Sequence, residues 1–267
     1  MMPPSANDVQ LKTQWAEHHF RNFQTELGKF TRSHPYSIVI ESDPQTQETL
    51  YRLAKDFVVP DGLRLMAGDI VQNLRSTLDY LACALVRANG ESPTNQTCFP
   101  ISEDVPTTPE DEKSFSRKVK GMRKDAVDLI RTIKPYRTGD YVLWRLHCLN
   151  NIDKHRLLLT CGAFVHNWSI TQHIDVTNPP LHILERMARA YAGDMNDETS
   201  RQVTFAIKAG DVLIRDFPNA KRNENIKFFI EVAIDEPGIC EREPLSELLF
   251  TSVAKVRQTI NRFSGMY

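Results

Sequence analysis

The chain has 267 residues, of which 41% are hydrophobic and 25% are charged, and its formal net charge is −1. This composition is typical of a globular protein that can bury a large core without metal ions or disulfide staples. The near-neutral charge gives no overall field that would attract nucleic acid or a membrane, so such a partner would need a local patch. The chain begins without the basic and apolar segments of a signal peptide, and no apolar run approaches the length of a membrane span. We therefore expect a cytoplasmic protein with no membrane partner.

The cysteines are widely spaced and form no C-x-x-C pair. There are five of them: Cys83, Cys98, Cys148, Cys161 and Cys240. An odd number at this spacing predicts reduced thiols, and it fits neither a disulfide framework nor a zinc finger.

Three segments precede the most regular part of the chain. Residues 9–30 have the apolar spacing of an amphipathic helix, which Ser33-His34-Pro35 would end. Residues 36–41 are rich in strand-forming side chains. Residues 47–59 fit either a second strand or a short helix, and the spacing of their apolar side chains favours the helix.

Residues 68–86 form the most strongly patterned stretch. The core-facing residues recur at steps of three and four: Ile70, Leu74, Leu78, Leu81 and Leu85. This is the period of a helix that packs against a core, and we predict that this helix is central. On its other side, Arg75 and Asp79 stand one turn apart, where their side chains can pair.

A loop and a basic helix follow the central helix. Residues 89–109 are rich in Gly, Pro, Ser, Thr and acidic residues, which predicts a long loop anchored by Phe99 and Ile101. A helix then runs from Pro109 to Ile133. Its exposed side is basic and carries Lys113, Arg117, Lys118, Lys120, Arg123 and Lys124. Such a face either is simply solvated or binds a phosphate backbone.

The last predicted helix of the N-terminal part covers residues 141–159, and Asp140 can cap it. From residue 160 onward the sequence has β character. The predicted elements are a strand at 163–176, a short helix or strand at 181–191, a hairpin of residues 202–207 and 212–215, a strand at 226–234 and a helix at 244–263.

Segregated helices and strands predict an α+β fold, with an N-terminal helical bundle, a C-terminal antiparallel β portion and a terminal helix. We divide the chain into a mainly helical part with one early strand, residues 1–160, and a β-rich part that ends in a helix, residues 161–267. The two parts form one continuous domain if the early strand joins the C-terminal sheet.

Two polar constellations are candidates for chemistry. The central helix carries Gln72, Asn73, Arg75 and Asp79. The later helix carries His147, Asn150, Asn151, Asp153, Lys154, His155 and Arg156. If these helices pack antiparallel, the two sets meet at one level. Their charges must then be paired or hydrogen-bonded, because burying a lone charge is costly.

This meeting point has two interpretations. It is either a polar network that fixes the register of the helices or a functional cleft. In a cleft, the catalytic candidates are Arg75, Asp79 and His155, with His155 as general acid or base and Arg75 or Lys154 holding a phosphate or another anion. The substrate-binding candidates are the remaining polar residues, Gln72, Asn73, Asn150, Asn151, Asp153, Lys154 and Arg156.

Metal and cofactor chemistry has little support in the sequence. His147, Asn151 and His155 recur at four-residue steps, but no H-E-x-x-H or Glu-x-x-His pattern accompanies them. No G-x-S-x-G string and no glycine-rich phosphate loop is present. We therefore expect no metal and no cofactor.

The two polar strings resemble an uncharacterised group of bacterial proteins. The string G-D-I-V-Q-N-L-R-S-T-L-D-Y-L at residues 68–81 fits their pattern GD-x-x-x-N-L-R-S-x-L-D-x-L, and N-N-I-D-K-H-R at residues 150–156 contains N-x-D-K-H-R. The resemblance covers roughly residues 36–160 and implies no activity. More loosely, a helical bundle with an Arg-bearing polar seam is similar to the HEPN superfamily, which includes metal-independent ribonucleases.

The HEPN-like resemblance implies a protein that binds RNA or a nucleotide and that could be a metal-independent ribonuclease. The HEPN signature places a His four to six residues after its Arg, whereas Asp79 and Tyr80 follow Arg75 here. The imidazole would then come from His155, which would move the 2′-hydroxyl proton while Arg75 stabilises the phosphate. Two alternatives stay open: a non-catalytic interaction or structural protein that could form a homo-oligomer, and a small-molecule enzyme with a cleft between bundle and sheet.

Overall fold

The computed structural model describes residues 6–156, 160–169, 203–204, 209–218 and 227–267. Its helices are α1 (Ala6–Arg32), α2 (Asp61–Ala88), α3 (Pro109–Lys118), α4 (Lys124–Ile133), α5 (Tyr141–Asp153) and α6 (Leu245–Arg262). Its strands are β1 (Ile38–Ser42), β2 (Glu48–Leu53), β3 (Thr160–Ser169), β4 (Val203–Thr204), β5 (Val212–Pro218), β6 (Lys227–Glu236) and β7 (Cys240–Pro244). The predicted α+β class, with N-terminal helices and a C-terminal helix, is confirmed.

Packing divides the chain into two compact units, each built from separate stretches. The helical unit comprises Met1–Lys29, Val59–Thr160 and Ile234–Tyr267. The β unit comprises Phe30–Val58 and Cys161–Ala233. The change of character predicted at residue 160 coincides with the step from Thr160 to Cys161, but packing assigns the last helix to the helical unit and the early strands to the β unit.

The core of the helical unit is built around α2, which contacts α5 and α6. The apolar stripe predicted from the sequence is buried to 1% exposure or less: Ile70, Leu74, Leu78, Leu81 and Leu85. The central helix is therefore confirmed, and it is longer than predicted. It begins after Pro60, which suits the entry to a helix, and it ends before Gly90, whose φ of +78° is left-handed.

In the β unit, β1 and β2 form an antiparallel pair from Ile38 opposite Leu53 to Ser42 opposite Thr49. The β2 strand also pairs antiparallel with β5, so the early strand does share a sheet with a C-terminal strand. The helix favoured for residues 47–59 was wrong. Because β2 lies between two strands, three successive residues, Thr49 to Tyr51, are at most 3% exposed, and the alternation that marks a half-buried strand is missing.

Of the predicted hairpin of residues 202–207 and 212–215, the structure describes residues 203–204 and 212–215, and these do not pair with each other. The β4 strand pairs with β3 in a sheet of order β4-β3-β6-β7, whereas β5 belongs to the sheet β1-β2-β5. The glycine turn at Gly210 binds the end of β2. The Gly210 amide donates to the Leu53 carbonyl at 2.7 Å, and the Leu53 amide donates to the Asp211 carbonyl at 3.0 Å. The predictions for residues 170–191 lie outside the described residues.

The helix predicted from Pro109 to Ile133 is two helices, α3 and α4. Gly121 lies between them with a φ of +88°, a conformation that interrupts a right-handed helix. The preceding loop is confirmed, since residues 89–108 contain no helix or strand, and its anchors Phe99 and Ile101 are 0% and 2% exposed. Asp140 caps α5 as predicted, with its Oδ1 accepting from the Leu143 amide at 3.2 Å.

The α2 and α5 helices run antiparallel, with Gly68 opposite Asp153 and Arg75 opposite His147. Gly68 allows this close approach. A Cβ atom at this position would lie 2.1 Å from Oδ1 of Asp153 and 2.7 Å from its Cγ, so an alanine would displace the carboxyl group.

We expect Gly68→Ala to lower the free energy of unfolding by about 1–3 kcal/mol, because the clash outweighs the better helix propensity of alanine. The matched control is Gly62→Ala in the same helix, where a Cβ atom would meet nothing within 4 Å. That change should be neutral or stabilise by up to about 1 kcal/mol. Urea unfolding of both variants measures the difference.

The double variant Gly68→Ala/Asp153→Ala identifies the cause. Removing the carboxyl group should restore at least about 1 kcal/mol relative to the sum of the single changes. Strict additivity of the two changes would contradict this packing argument.

Candidate functional site

The polar sides of α2 and α5 meet around the Arg75 guanidinium, in a cluster that we call the polar seam: Arg75, Asp79, His147 and the backbone of Phe99. The Arg75 side chain is only 9% exposed. Its Nε donates to Nδ1 of His147 at 3.2 Å, its Nη1 to Oδ1 of Asp79 at 2.5 Å and its Nη2 to the Phe99 carbonyl at 3.1 Å. All three guanidinium nitrogens thus donate to acceptors within the protein.

Asp79 joins the central helix to the loop that follows it. Its Oδ1 accepts a hydrogen bond from the Phe99 amide at 3.0 Å, so both polar groups of the Phe99 backbone bind the seam. The Phe99 ring is fully buried and contacts Phe263 edge-on. The Asp79 side chain is 36% exposed, so it is the more exposed member of the Arg75–Asp79 pair. The pair therefore fixes the loop as well as α5.

The contact with Arg75 determines the tautomer of His147. Because a guanidinium can only donate, Nδ1 of His147 is the acceptor and the ring proton resides on Nε2. Nδ2 of Asn151 lies 3.2 Å from Nε2, and a flipped Asn151 amide would place its oxygen there to accept that proton. Burial, and after it the positive charges of Arg75 and Lys118, together lower the pKa of His147 from 6.5 to about 4. His147 is therefore neutral at physiological pH.

Two thiols flank the seam. Cys83 follows Asp79 by one helical turn, and Cys98 directly precedes Phe99. Burial raises the pKa of both thiols, and the Asp79 carboxylate raises each of them further. Both groups are protonated at neutral pH, which makes them poor nucleophiles.

Gln72 and Asn73, two predicted binding residues, lie outside the seam. Gln72 is exposed. Asn73 faces α1: its Oδ1 accepts from Nζ of Lys12 at 2.9 Å, and its Nδ2 donates to the Asp69 carbonyl at 2.7 Å. The structure thus uses Asn73 to join two helices.

The end of α5 supplies packing contacts. The carboxyl group of Asp153 lies against Gly68, and burial raises its pKa, as does the nearby charge of Asp69. Arg156 donates to both carboxylate oxygens of Glu236 at 3.1 and 2.7 Å, and the Glu236 side chain is 1% exposed. Arg156 therefore joins the turn after α5 to Glu236, and Asp153 packs against Gly68.

The structure separates the predicted catalytic imidazole from Arg75. Asn150 is 3% exposed, whereas Lys154 and His155 are exposed in the turn after α5. Within the described residues, no polar contact joins the His155 ring to Arg75. The imidazole beside Arg75 belongs to His147, about two helical turns earlier.

The sequence analysis weighed His147 only as a metal ligand, not as the partner of Arg75, and it missed the Phe99 backbone. A signal for His147 was available, because it precedes Asn151 by one turn and so shares its helix face. The Phe99 backbone had no such signal, since the groups that bind the seam are the amide and carbonyl that nearly every residue carries.

The described residues contain neither a metal-binding group nor a membrane-spanning helix. No three of their His, Cys, Asp and Glu side chains come together in a way that could hold an ion. None of their helices has both the length and the apolar character that crossing a bilayer requires. Comparisons with family models, with curated proteins and with solved structures find no match to this chain.

The pKa of His147 predicts a pH dependence of stability. Between about pH 6.5 and pH 4 the unfolded chain binds a proton at His147 that the folded chain does not bind. The free energy of unfolding should therefore fall by about 2 kcal/mol between about pH 7 and pH 5. Asp153 has the opposite effect on the free energy of unfolding at acidic pH. Because its pKa is raised in the folded state, the folded chain binds the proton more readily there than the unfolded chain does.

Urea unfolding at the two pH values checks this expectation in His147→Asn and His155→Asn. Asparagine at position 147 keeps an acceptor for Arg75 but cannot titrate. The free energy of unfolding should therefore change less with pH in His147→Asn than in the unmodified protein. His155→Asn is the matched control and should keep the slope of the unmodified protein. An unchanged slope in His147→Asn would contradict the buried neutral imidazole.

Proposed function

We propose that this chain is a non-catalytic interaction protein, in which the polar seam fixes the packing of α2, α5 and the loop after α2. The observation that carries this proposal is that Arg75 is buried and engaged within the protein. Each of its guanidinium nitrogens already has an acceptor in the protein, and its side chain is 9% exposed. An arginine that holds a phosphate needs free N–H groups at an accessible surface.

The other seam residues support the same proposal. A general base needs a free lone pair within reach of a substrate proton, and Nδ1 of His147 already accepts from Arg75. His155 is exposed, and no described side chain orients its ring as the partner of a catalytic histidine would. Both features favour a structural role over proton transfer.

RNA or nucleotide binding at the seam, with or without cleavage, is the competing proposal. It requires Arg75 to leave the Phe99 carbonyl and Asp79, and it requires His155 to approach from the turn after α5. A small-molecule enzyme using these residues faces the same requirement. A loss of stability on removal of Arg75 would show that the seam is structural at minimum, and RNA binding must be tested separately.

We expect Arg75→Ala to lower the free energy of unfolding by about 3 kcal/mol, because Asp79, His147 and the Phe99 carbonyl all lose their partner. Arg21→Ala is the matched control. Arg21 also pairs with a carboxylate one helical turn away, at 3.8 Å from Glu17, but its side chain is 69% exposed. That change should cost less than about 0.5 kcal/mol in the same urea titration.

Incubation with total RNA in EDTA tests function separately. We expect the unmodified protein, Arg75→Lys and His155→Ala neither to cleave RNA nor to retard it in a gel. Arg75→Lys is included in case Arg75→Ala does not fold. Lysine keeps the positive charge at this position, so we expect this variant to fold. One result would overturn the proposal in favour of an RNA site. The unmodified protein would cleave or bind RNA, and Arg75→Lys and His155→Ala would both lose that activity while remaining as stable as the unmodified protein.

A further inference from the structure

The stretch that joins α3 to α4, residues 113–124, concentrates positive charge, and we call it the basic segment. Six of its twelve residues are Lys or Arg, and none is Asp or Glu: Lys113, Arg117, Lys118, Lys120, Arg123 and Lys124. The whole chain has a net charge of −1, so this excess is local. Such a patch attracts an anionic partner at short range.

Internal contacts engage two of the six cations. Nζ of Lys118 donates to the Ile101 carbonyl at 3.4 Å, and Nε of Arg123 donates to Oδ1 of Asp125 at 3.2 Å. The other four side chains are exposed: Lys113, Arg117, Lys120 and Lys124. They form no hydrogen bond, ion pair or ring contact within the part of the chain that the structure describes. Four positive charges are therefore available to a partner.

Helix stability does not explain the positions of Lys113 and Lys124. Lys113 stands one turn before Arg117 on α3, and like charges at this spacing repel each other. Lys124 is the first residue of α4, where the helix dipole favours an acidic side chain over a basic one. Only Arg117, in the last turn of α3, has a favourable place. A bound anion would relieve the repulsion among these charges.

Carboxylates limit the basic segment at both ends. Glu110, Asp111 and Glu112 precede it on α3, and Asp125 and Asp128 follow it on α4. The α3 helix is about 15 Å long, a distance that four or five residues of extended chain cover. A long polyanion would reach past the cations to these carboxylates, so the charge pattern fits a short anionic ligand.

The basic segment offers no aromatic surface on which nucleotide bases could stack. Its one aromatic residue, Phe115, is 7% exposed, and the Arg131 guanidinium lies 4.2 Å from the centroid of its ring. Proteins that bind single-stranded nucleic acid combine positive charge with exposed aromatic side chains. Charge without a stacking surface favours the carboxylates of a protein over RNA.

We propose that the basic segment binds a short acidic segment of a partner protein, whose Asp and Glu side chains pair with the four exposed cations. The inference rests on the proposed function, because it names the partner chemistry of an interaction protein. It uses no residue of the polar seam, so the two can be tested independently.

The test is the binding of fluorescently labelled hexaglutamate to the full chain, measured by fluorescence anisotropy. We expect saturable binding at about 20 mM salt that weakens at least about threefold at about 150 mM salt, because salt screens exposed ion pairs. Labelled hexaglutamine is the neutral control of the same length. It should bind at least about tenfold more weakly, because it forms no ion pair.

Charge-matched variants locate the binding. Lys113→Gln/Arg117→Gln should weaken hexaglutamate binding about fivefold, because it removes two exposed ion pairs. Lys29→Gln/Arg32→Gln removes the same charge from exposed positions of α1 and should change the affinity less than about twofold. All four side chains are exposed, so both variants should fold, and urea unfolding verifies this.

Four results would overturn the inference. Hexaglutamate would not bind, hexaglutamine would bind equally well, or both double variants would lose the same affinity. In the fourth, an oligouridylate of equal charge would bind more tightly than hexaglutamate and would lose its affinity in Lys113→Gln/Arg117→Gln, which would make nucleic acid the partner of the basic segment.

This result is separable from that of the proposed function. The RNA experiment reads the seam through Arg75 and His155, and neither residue belongs to the basic segment. A lack of hexaglutamate binding together with a structural seam would remove the partner assignment and leave the interaction proposal standing. RNA cleavage at the seam would remove the interaction proposal whatever the peptide experiment shows.

Discussion

The helical unit depends on one buried cation that must be fully neutralised and hydrogen-bonded. Arg75 lies where α2, α5 and the loop meet, and it donates to a side chain from each helix and to the loop backbone. A guanidinium suits this position because its planar fork presents donors in several directions at once. A single apolar residue could fill the space but could not specify which loop carbonyl lies there, so the cation gives this junction a unique geometry.

The same device recurs at the other side of α5. Arg145 is 6% exposed, and it pairs with Glu243 of β7 and donates to the Thr251 hydroxyl of α6 at 3.4 Å. Arg156 pairs with Glu236 in the same way. Three arginines, Arg75, Arg145 and Arg156, therefore join α5 and the turn after it to other parts of the helical unit. Polar residues that look like a site in the sequence thus make contacts between elements, as the proposed structural role requires.

The sequence predicts well what depends on periodicity and poorly what depends on neighbours. The stripe from Ile70 to Leu85 identifies α2, because a core-facing helix repeats every three to four residues. The β2 strand was weighed but not favoured, because strands on both sides bury its residues without alternation. Of the candidate site, the Arg75–Asp79 pair follows from helix spacing. The role of Phe99 does not, since it rests on a backbone amide and carbonyl brought in by the fold.

Amide hydrogen exchange at Phe99 tests the central claim most directly, because this residue lies in a loop without regular structure and its amide binds Asp79. If the seam holds the loop on the helices, the Phe99 amide should exchange at least about 10³-fold more slowly than a free amide, comparable to core amides of α2. The amide of the exposed loop residue Asn95 should exchange freely in the same experiment. Equally fast exchange at Phe99 and Asn95 would contradict the account.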